Sequence, residues 1–310
     1  MFDRFVVVLF QVITLFMMSG VGFILGRLKI ITEHGTKELS NVIIRVSTPC
    51  IILNTFQMDY DRDLLVLLGT GTLAILGSYI VFILVSKLFF RKKEEGTKAI
   101  LQFGCVYGNV GSMGIPLITA VLGSSHVIFA VLGVAVFNLI IYTHGAMLMG
   151  GRKAVSARNL ATNMVVIALV VGLICMFLRI RFPEPIFNAL TYLGNLNSPL
   201  FMLIIGAQLS RADFKTIFTK PLFYAVCAIK QLLIPLIAAL LLVPFHLDKE
   251  FYVAIIILFG TPVATSTGIF AERYGRNVAY AAQLVSLSTL LSILTLPVIA
   301  VMAEYLTTFW

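Results

Sequence analysis

The stretch Gly108–Leu117, which reads GNVGSMGIPL, lies in the middle of an apolar segment long enough to cross a membrane. In a helix interior, glycine costs about 1 kcal/mol and proline about 3 kcal/mol relative to alanine. Several glycines, an asparagine and a proline so close together predict that the helix is interrupted inside the membrane. Non-helical backbone at that depth is tolerated only where it is buried in protein or lines a cavity. The stretch therefore indicates a ligand site, with a simple proline kink as the alternative.

Composition places this stretch in a membrane protein. The chain has 310 residues, of which 59% are hydrophobic and 12% are charged, whereas about a quarter of the residues in a soluble domain are charged. Short polar connectors separate apolar blocks of about 20 residues or more, the length a helix needs to cross hydrocarbon. We predict an all-α polytopic membrane protein without an inserted soluble domain. Its ten predicted transmembrane helices cover approximately residues 5–28, 36–57, 63–90, 97–121, 125–149, 159–179, 184–209, 218–243, 249–271 and 277–305.

Charge and cysteine content exclude other classes of protein. The net charge of +9 arises in short loops, where basic residues set orientation rather than bind nucleic acid. Basic residues are about three times as frequent in the loops opposite the termini, so both termini are predicted to lie outside the cytoplasmic membrane. The cysteines stand singly inside apolar blocks, without the spacing of a metal or redox site. They are Cys50, Cys105, Cys175 and Cys227.

An internal repeat relates the two halves of the sequence. STPCIIL (Ser47–Leu53) and NSPLFML (Asn197–Leu203) align at an offset of 150 residues, which matches Pro49 to Pro199. The predicted repeats are residues 1–150 and 151–310, with five helices each. Because five is odd, the second copy is inverted relative to the first. Inverted repeats are a recurrent architecture of secondary transporters, in which the substrate binds near the midplane at discontinuous helices.

The interruption itself also recurs. The fourth predicted helix contains Gly114-Ile115-Pro116, and the corresponding ninth helix contains Gly260-Thr261-Pro262. Proline removes a backbone donor and blocks the preceding helical turn. Unwound segments expose helix N-termini, whose free N–H groups attract anions. A symmetric pair of interruptions favours a ligand site over two unrelated kinks.

At these residues the sequence resembles the auxin efflux carrier family, which includes plant PIN-type carriers and bacterial organic-acid permeases. NVGSMGIP (Asn109–Pro116) matches the family pattern N-x-x-x-M-G-I-P, and TPVATSTGIFAERYG (Thr261–Gly275) is similar to its P-x-x-x-x-x-x-F-A-x-x-Y segment. LTLPVIAV in the tenth helix also fits. The chain lacks the long central hydrophilic loop of the plant carriers.

The resemblance implies a five-plus-five inverted fold within the superfamily of the bile-acid/sodium symporters. Two broken helices, the fourth and the ninth, would cross in a transport domain formed by about residues 63–149 and 218–305. A scaffold of helices 1, 2, 6 and 7, about residues 5–57 and 159–209, would support the transport domain. The resemblance also implies a homodimer through the scaffold helices.

Candidate substrate-binding residues come from the resemblance and from the charges. The resemblance implies that Asn109 faces a substrate carboxylate near Pro116 and Pro262. Arg45 and Lys230 are the cations that lie deep in predicted helices, and intramembrane charges are costly and usually functional. They favour an anionic substrate; the alternative is that they snorkel or bind free backbone carbonyls. The complete candidate set is Asn109, Gly111, Ser112, Gly114, Pro116, Thr261, Pro262, Lys230, Arg45 and Pro49.

The sequence does not decide between H⁺, Na⁺ and no ion for coupling. Every acidic residue falls in or beside a predicted loop, so no carboxylate is placed to carry a proton across the membrane. His144 is the remaining candidate for H⁺. Hydroxyl and amide oxygens could instead hold Na⁺, and uncoupled movement is equally compatible with the sequence. The candidate Na⁺ ligands are Asn138, Thr265, Ser266 and Gln283.

The function predicted from these features is secondary active transport of a small organic anion, a carboxylate, by alternating access. The expected partners are that anion, membrane lipids and a second copy of the chain, without nucleic acid, metal or cofactor other than a coupling Na⁺ or H⁺. The alternatives are a sodium-coupled symporter of larger amphipathic anions, a channel, or a sensor that binds without transport. Catalytic motifs such as His-Glu-x-x-His and Gly-x-Ser-x-Gly do not occur in the sequence, so we do not expect an enzyme.

Overall fold

The computed structural model describes residues 2–156, 158, 161–211 and 217–308, and these residues are overwhelmingly helical. Helices occupy each of the ten predicted apolar blocks, although several blocks contain two helices in succession. In chain order the α-helices are α1 (Phe2–Arg27), α2 (Glu33–Val42), α3 (Thr48–Thr55), α4 (Arg62–Leu88), α5 (Glu95–Val106), α6 (Ile115–Leu122), α7 (Val127–Ile140), α8 (Ala146–Gly150), α9 (Met164–Phe177), α10 (Glu184–Asn195), α11 (Asn197–Ser210), α12 (Pro221–Ala228), α13 (Ile234–Leu242), α14 (Lys249–Gly260), α15 (Ser266–Arg273) and α16 (Val278–Thr307).

Several of these helices suit a bilayer. Among the residues that the structure describes, five helical segments are long and apolar enough to cross a membrane by length and composition. Large apolar side chains such as Leu73, Val170 and Leu294 are exposed on the helix surfaces, as expected for residues that face lipid rather than water. Whether all ten predicted blocks cross a membrane stays a prediction. The five segments are Arg62–Leu88, Val127–Gly150, Glu184–Ser210, Pro221–Phe245 and Val278–Thr307.

Four wide, π-helical turns lie within the described parts of the helices, and three of them end two residues before a proline. A proline ring collides with the carbonyl group four residues earlier in an α-helix. A wider turn moves that carbonyl away and lets the helix continue, which is why Pro49, Pro116 and Pro235 lie in the first turn of a helix. The π-helical turns are Ile43–Ser47, Val110–Gly114, Ile141–Gly145 and Ile229–Leu233.

The chain divides into two compact units. The larger unit contains Met1–Val12, Leu67–Ser156 and Ala212–Trp310. At its centre are α5 and α14, which are buried on all sides over Ala99–Val106 and Phe251–Gly260. A helix that is apolar all round belongs in the interior of a bundle. Helices α7, α13 and α16 pack around α14, and α12 packs against α5.

The smaller unit contains Ile13–Val66 and Ala157–Arg211. Helix α3 packs against α9 and α10, and the two repeat motifs meet where Asn197 donates a hydrogen bond from Nδ2 to Thr48 Oγ1 at 2.9 Å. Helix α1 lies against α11 at glycines: a Cβ atom at Gly206 would overlap the backbone of Ser19. Small residues that allow backbones to approach closely are typical of helix pairs in membranes.

Candidate functional site

Two helices of the larger unit are broken, and their breaks pair with each other. The first break, Tyr107–Asn109, follows α5; the second break, Thr261–Thr265, follows α14. Gly108 and Val263 form an antiparallel β-bridge. The backbone N–H of Asn109 donates to the Pro262 carbonyl at 2.8 Å, and the backbone N–H of Ala264 donates to the Tyr107 carbonyl at 2.9 Å. Each break therefore satisfies backbone groups that the other helix has lost, which is the requirement for non-helical backbone away from water.

The second break is also held by α16. Ser288 Oγ accepts a hydrogen bond from the Val263 amide at 2.8 Å, and the Ser288 carbonyl accepts one from Gln231 Nε2 at 2.7 Å. Neither residue was predicted from the sequence. Gln231 offered a signal, since it is a polar residue beside Lys230 in an apolar block. Ser288 offered none, because serine is common in membrane helices and its partner lies 25 residues away.

Asn109 ends the first break and precedes the π-helical turn Val110–Gly114. Its side chain is 5% exposed. The Ser112 hydroxyl donates a hydrogen bond to Asn109 Oδ1, which orients the amide group. Asn109 Nδ2 is buried and has no hydrogen-bond partner. A buried donor without an acceptor is unfavourable by about 1–3 kcal/mol, so this atom is ready to bind an acceptor on a ligand.

Around Asn109 the two helices approach closely. Gly114 lies against Leu258, the third-last residue of α14, where a Cβ atom would overlap the leucine side chain. Thr261 is fully buried and donates from Oγ1 to the Leu258 carbonyl. Gly111 is half-buried, and a Cβ atom there would meet nothing within 4 Å. Open space therefore lies beside Gly111, two residues after Asn109 in the chain.

Lys230 brings a positive charge to the region where the two breaks meet. It lies in the π-helical turn Ile229–Leu233, is 1% exposed, and donates from Nζ to the carbonyl of Phe259 near the end of α14. A Cβ atom on Gly108 would lie 2.8 Å from this ammonium group. The deep cation predicted from the sequence is therefore buried between the two breaks.

The structure also connects His144 to the first break. Tyr107, fully buried in the break, has its hydroxyl 2.9 Å from His144 Nδ1 and 3.2 Å from the Ile140 carbonyl. His144 is half-buried in the π-helical turn Ile141–Gly145. Tyr107 was not predicted as a site residue, although it directly precedes Gly108.

The positions of the prolines differ between the two breaks. Pro262 lies inside the second break, as the sequence predicts. Pro116, by contrast, lies in the first turn of α6, after the π-helical turn, and the first break is at Tyr107–Asn109. The expectation that Pro116 marks the first break is wrong, because the π-helical turn Val110–Gly114 accommodates the proline ring and the helix continues through it.

The remaining candidates have separate surroundings. Asn138 is buried and donates from Nδ2 to the Val134 carbonyl of its own helix at 2.7 Å. Gln283 Oε1 accepts a hydrogen bond from Lys220 at 2.6 Å. Thr265 and Ser266 are at the second break, where Ser266 Oγ is buried and has no hydrogen-bond partner. Of the four candidate Na⁺ ligands, the structure thus places two at a break.

Arg45 and Pro49 belong to the smaller unit. Arg45 is exposed on the π-helical turn Ile43–Ser47, and Pro49 is half-buried in the first turn of α3. The role of both residues in substrate binding stays a prediction.

Substitution of the glycines in the first break tests this geometry. A Cβ atom on Gly108 would lie 2.5 Å from Thr261 Oγ1 and 2.8 Å from Lys230 Nζ, closer than atoms approach without rearrangement. We expect Gly108→Ala to lower the thermal unfolding midpoint by several degrees. Gly111→Ala is the matched control, because its Cβ atom meets nothing within 4 Å, and it should leave the midpoint within about 1 °C of the parent value. Equal midpoints for both variants would contradict the pairing of the breaks.

A family model described as a membrane transport protein matches residues 7–159 and residues 153–300. The two matches together extend over nearly the whole chain, including both breaks. No curated protein matches the chain. By the extent of these matches, the chain belongs to the membrane transport protein family, the family of the auxin efflux carriers.

Proposed function

We propose that this membrane transporter is a secondary carrier of a small organic anion, a carboxylate, which binds at the paired breaks and crosses the membrane by alternating access. The observation that carries the proposal is the unpaired Nδ2 donor of Asn109, which is buried at the point where the breaks meet. Buried donors are nearly always hydrogen-bonded. A carboxylate oxygen would satisfy this donor with a charge-assisted hydrogen bond.

The charge around the breaks supports an anion. The Lys230 ammonium group lies against Gly108. Helix N-termini follow both breaks, and their free N–H groups and positive dipole ends attract negative charge. Ser266 Oγ, another buried polar atom without a hydrogen-bond partner, lies at the N-terminal end of α15. In the described part of the chain, the buried polar and charged side chains include no aspartate or glutamate that would repel a carboxylate.

The division of the chain supports alternating access. The larger compact unit contains both broken helices, and the smaller one contains Ile13–Val66 and Ala157–Arg211. We propose that the larger unit is the transport domain and the smaller unit is the scaffold. The proposal includes crossing of the broken helices, ten transmembrane helices in two inverted repeats, and a homodimer in the cytoplasmic membrane with both termini outside.

Flux measurements in proteoliposomes test this function. Labelled dicarboxylates and indole-type monocarboxylates would be offered with and without imposed Na⁺ and H⁺ gradients. We expect saturable uptake of at least one carboxylate, and the gradient that accelerates it would identify Na⁺ or H⁺ as the coupling ion. Stimulation by H⁺ would give His144 a role through its contact with Tyr107. Specific binding of a carboxylate without flux under any gradient would contradict transport and favour a sensor.

A further inference from the structure

Lys230 occupies a position that the anion site alone does not explain. Its ammonium group donates to the carbonyl of Phe259, the second-last residue of α14. It also lies against Gly108 of the first break, where a Cβ atom would lie 2.8 Å from Nζ and 2.9 Å from Cε. A cation is therefore held between the C-terminal end of one broken helix and the unwound backbone of the other.

Backbone carbonyl groups stabilise the charge of Lys230. An ammonium group removed from water is very unfavourable unless it is hydrogen-bonded or paired. Within the described residues, no aspartate or glutamate is among the buried side chains. The last four carbonyl groups of a helix lack helical donors and carry the negative end of the helix dipole. The end of α14, at Phe259, supplies such carbonyls, and the ammonium group of Lys230 binds one of them.

Carbonyls of this kind bind a different cation in other transporters with broken helices. There, unwound backbone and the C-terminal ends of half-helices coordinate the coupling Na⁺. An ammonium group has the same charge and donates hydrogen bonds to the same oxygen atoms. We propose that the Lys230 ammonium group is a tethered cation that takes the place of a coupling Na⁺ at the paired breaks. The transported anion then needs no Na⁺, a consequence that rests on the function proposed above.

The surroundings of Lys230 fix its position. Its neighbour Gln231, in the same π-helical turn, donates from Nε2 to the Ser288 carbonyl, while Ser288 Oγ accepts the Val263 amide of the second break. The turn that carries the cation is thus connected to the backbone that the cation stabilises. Because its side chain is covalently attached, a tethered cation cannot diffuse out of the site as a bound Na⁺ can.

Thermal unfolding of the purified chain tests the structural part of this inference without any substrate. Lys230→Ala removes the Cγ, Cδ, Cε and Nζ atoms, which together correspond to n-propylammonium. We expect the variant to unfold several degrees below the parent protein and to regain at least half of the loss in millimolar n-propylammonium. Choline, which is too bulky for the space, should have no effect. Lys220→Ala, which removes a lysine that binds Gln283, should not respond to n-propylammonium.

Two further unfolding measurements, one on the parent protein in different salts and one on Lys230→Met, complete the test. The parent protein should unfold at the same temperature in NaCl and in choline chloride, since its cation site is already filled; specific stabilisation by Na⁺ would overturn the inference. Where Lys230→Ala does not yield folded protein, Lys230→Met retains the length of the side chain without the charge. A lowered midpoint for Lys230→Met supports the inference, and a midpoint equal to that of the parent overturns it.

Flux separates this inference from the proposed function. Carboxylate uptake that is equal in Na⁺ and in choline buffers supports both. Uptake that requires Na⁺ overturns the inference that Lys230 is a tethered cation, but it supports the proposed transport function. Absence of uptake for every carboxylate removes the proposed function, and the unfolding measurements then still decide whether the breaks depend on the Lys230 cation.

Discussion

Replacement of Asn109 by alanine should lower kcat/KM for the transported anion by about 10- to 100-fold, because a hydrogen bond to a charged group contributes about 1.5–3 kcal/mol. The side chain is buried, its Nδ2 donor has no partner in the described structure, and its backbone pairs with the Pro262 carbonyl. Alanine keeps the backbone pairing and removes only the side-chain donor. Initial uptake rates over a range of substrate concentrations measure this effect.

Two variants identify the cause of the loss. Asn109→Asp has almost the same shape but replaces the donor by a negatively charged oxygen, so it should transport the anion less well than Asn109→Ala. Ser112→Ala removes the hydroxyl that donates to Oδ1 and leaves Nδ2 in place, so its loss should be smaller than that of Asn109→Ala. Parent-like transport by Asn109→Ala would show that the carboxylate does not bind at this donor.

Replacement of Gly206 by alanine should strongly destabilise the smaller unit. The added Cβ atom would overlap the Ser19 carbonyl oxygen and lie 2.6 Å from the Phe23 nitrogen. Backbone atoms cannot rotate away as a flexible side chain can, so α1 and α11 would have to separate. Overpacking of this kind costs about 1–3 kcal/mol or more, which corresponds to a fall in unfolding midpoint on the order of 5 °C. A thermal unfolding scan in detergent measures it.

Gly20→Ala is the matched control on α1. A Cβ atom on Gly20 meets nothing within 4 Å, and alanine in an open helical position is neutral or slightly stabilising. The control should therefore unfold at or slightly above the parent temperature. If Gly206→Ala unfolds at the same temperature as Gly20→Ala, the close contact between α1 and α11 is absent from the protein in solution.

The sequence was sufficient to predict the existence of the two broken helices, because glycine, proline and small polar residues are unfavourable in the interior of an apolar helix. It also indicated Lys230, since a charge in an apolar block is conspicuous. The position of the first break was predicted less well. Pro116 suggested it, whereas the chain unwinds at Tyr107–Asn109 and accommodates Pro116 by a π-helical turn.

The contacts of the site could not be predicted, because they join residues that are distant in the sequence. The bond from Val263 to Ser288, the bond from Lys230 to the Phe259 carbonyl and the contact of Tyr107 with His144 depend on how helices pack. Local patterns give helix faces and breaks, and they carry no information on partners such as a backbone carbonyl. For the same reason Asn138 was a plausible ion ligand in the sequence, although its amide donates within its own helix.

Protection of a cysteine at the breaks by substrate tests the location of the anion site most directly. Gly111→Cys places a thiol in open space two residues after Asn109, while the native cysteines are all buried. The control is Lys153→Cys, at an exposed position in the short 3₁₀ helix Arg152–Ala154. Alkylation by a charged, water-soluble thiol reagent would be timed with and without saturating transported carboxylate. We predict that the substrate slows alkylation of Gly111→Cys with a half-maximal concentration close to KM and leaves Lys153→Cys unchanged. Equal alkylation of Gly111→Cys with and without substrate would contradict a binding site at the paired breaks.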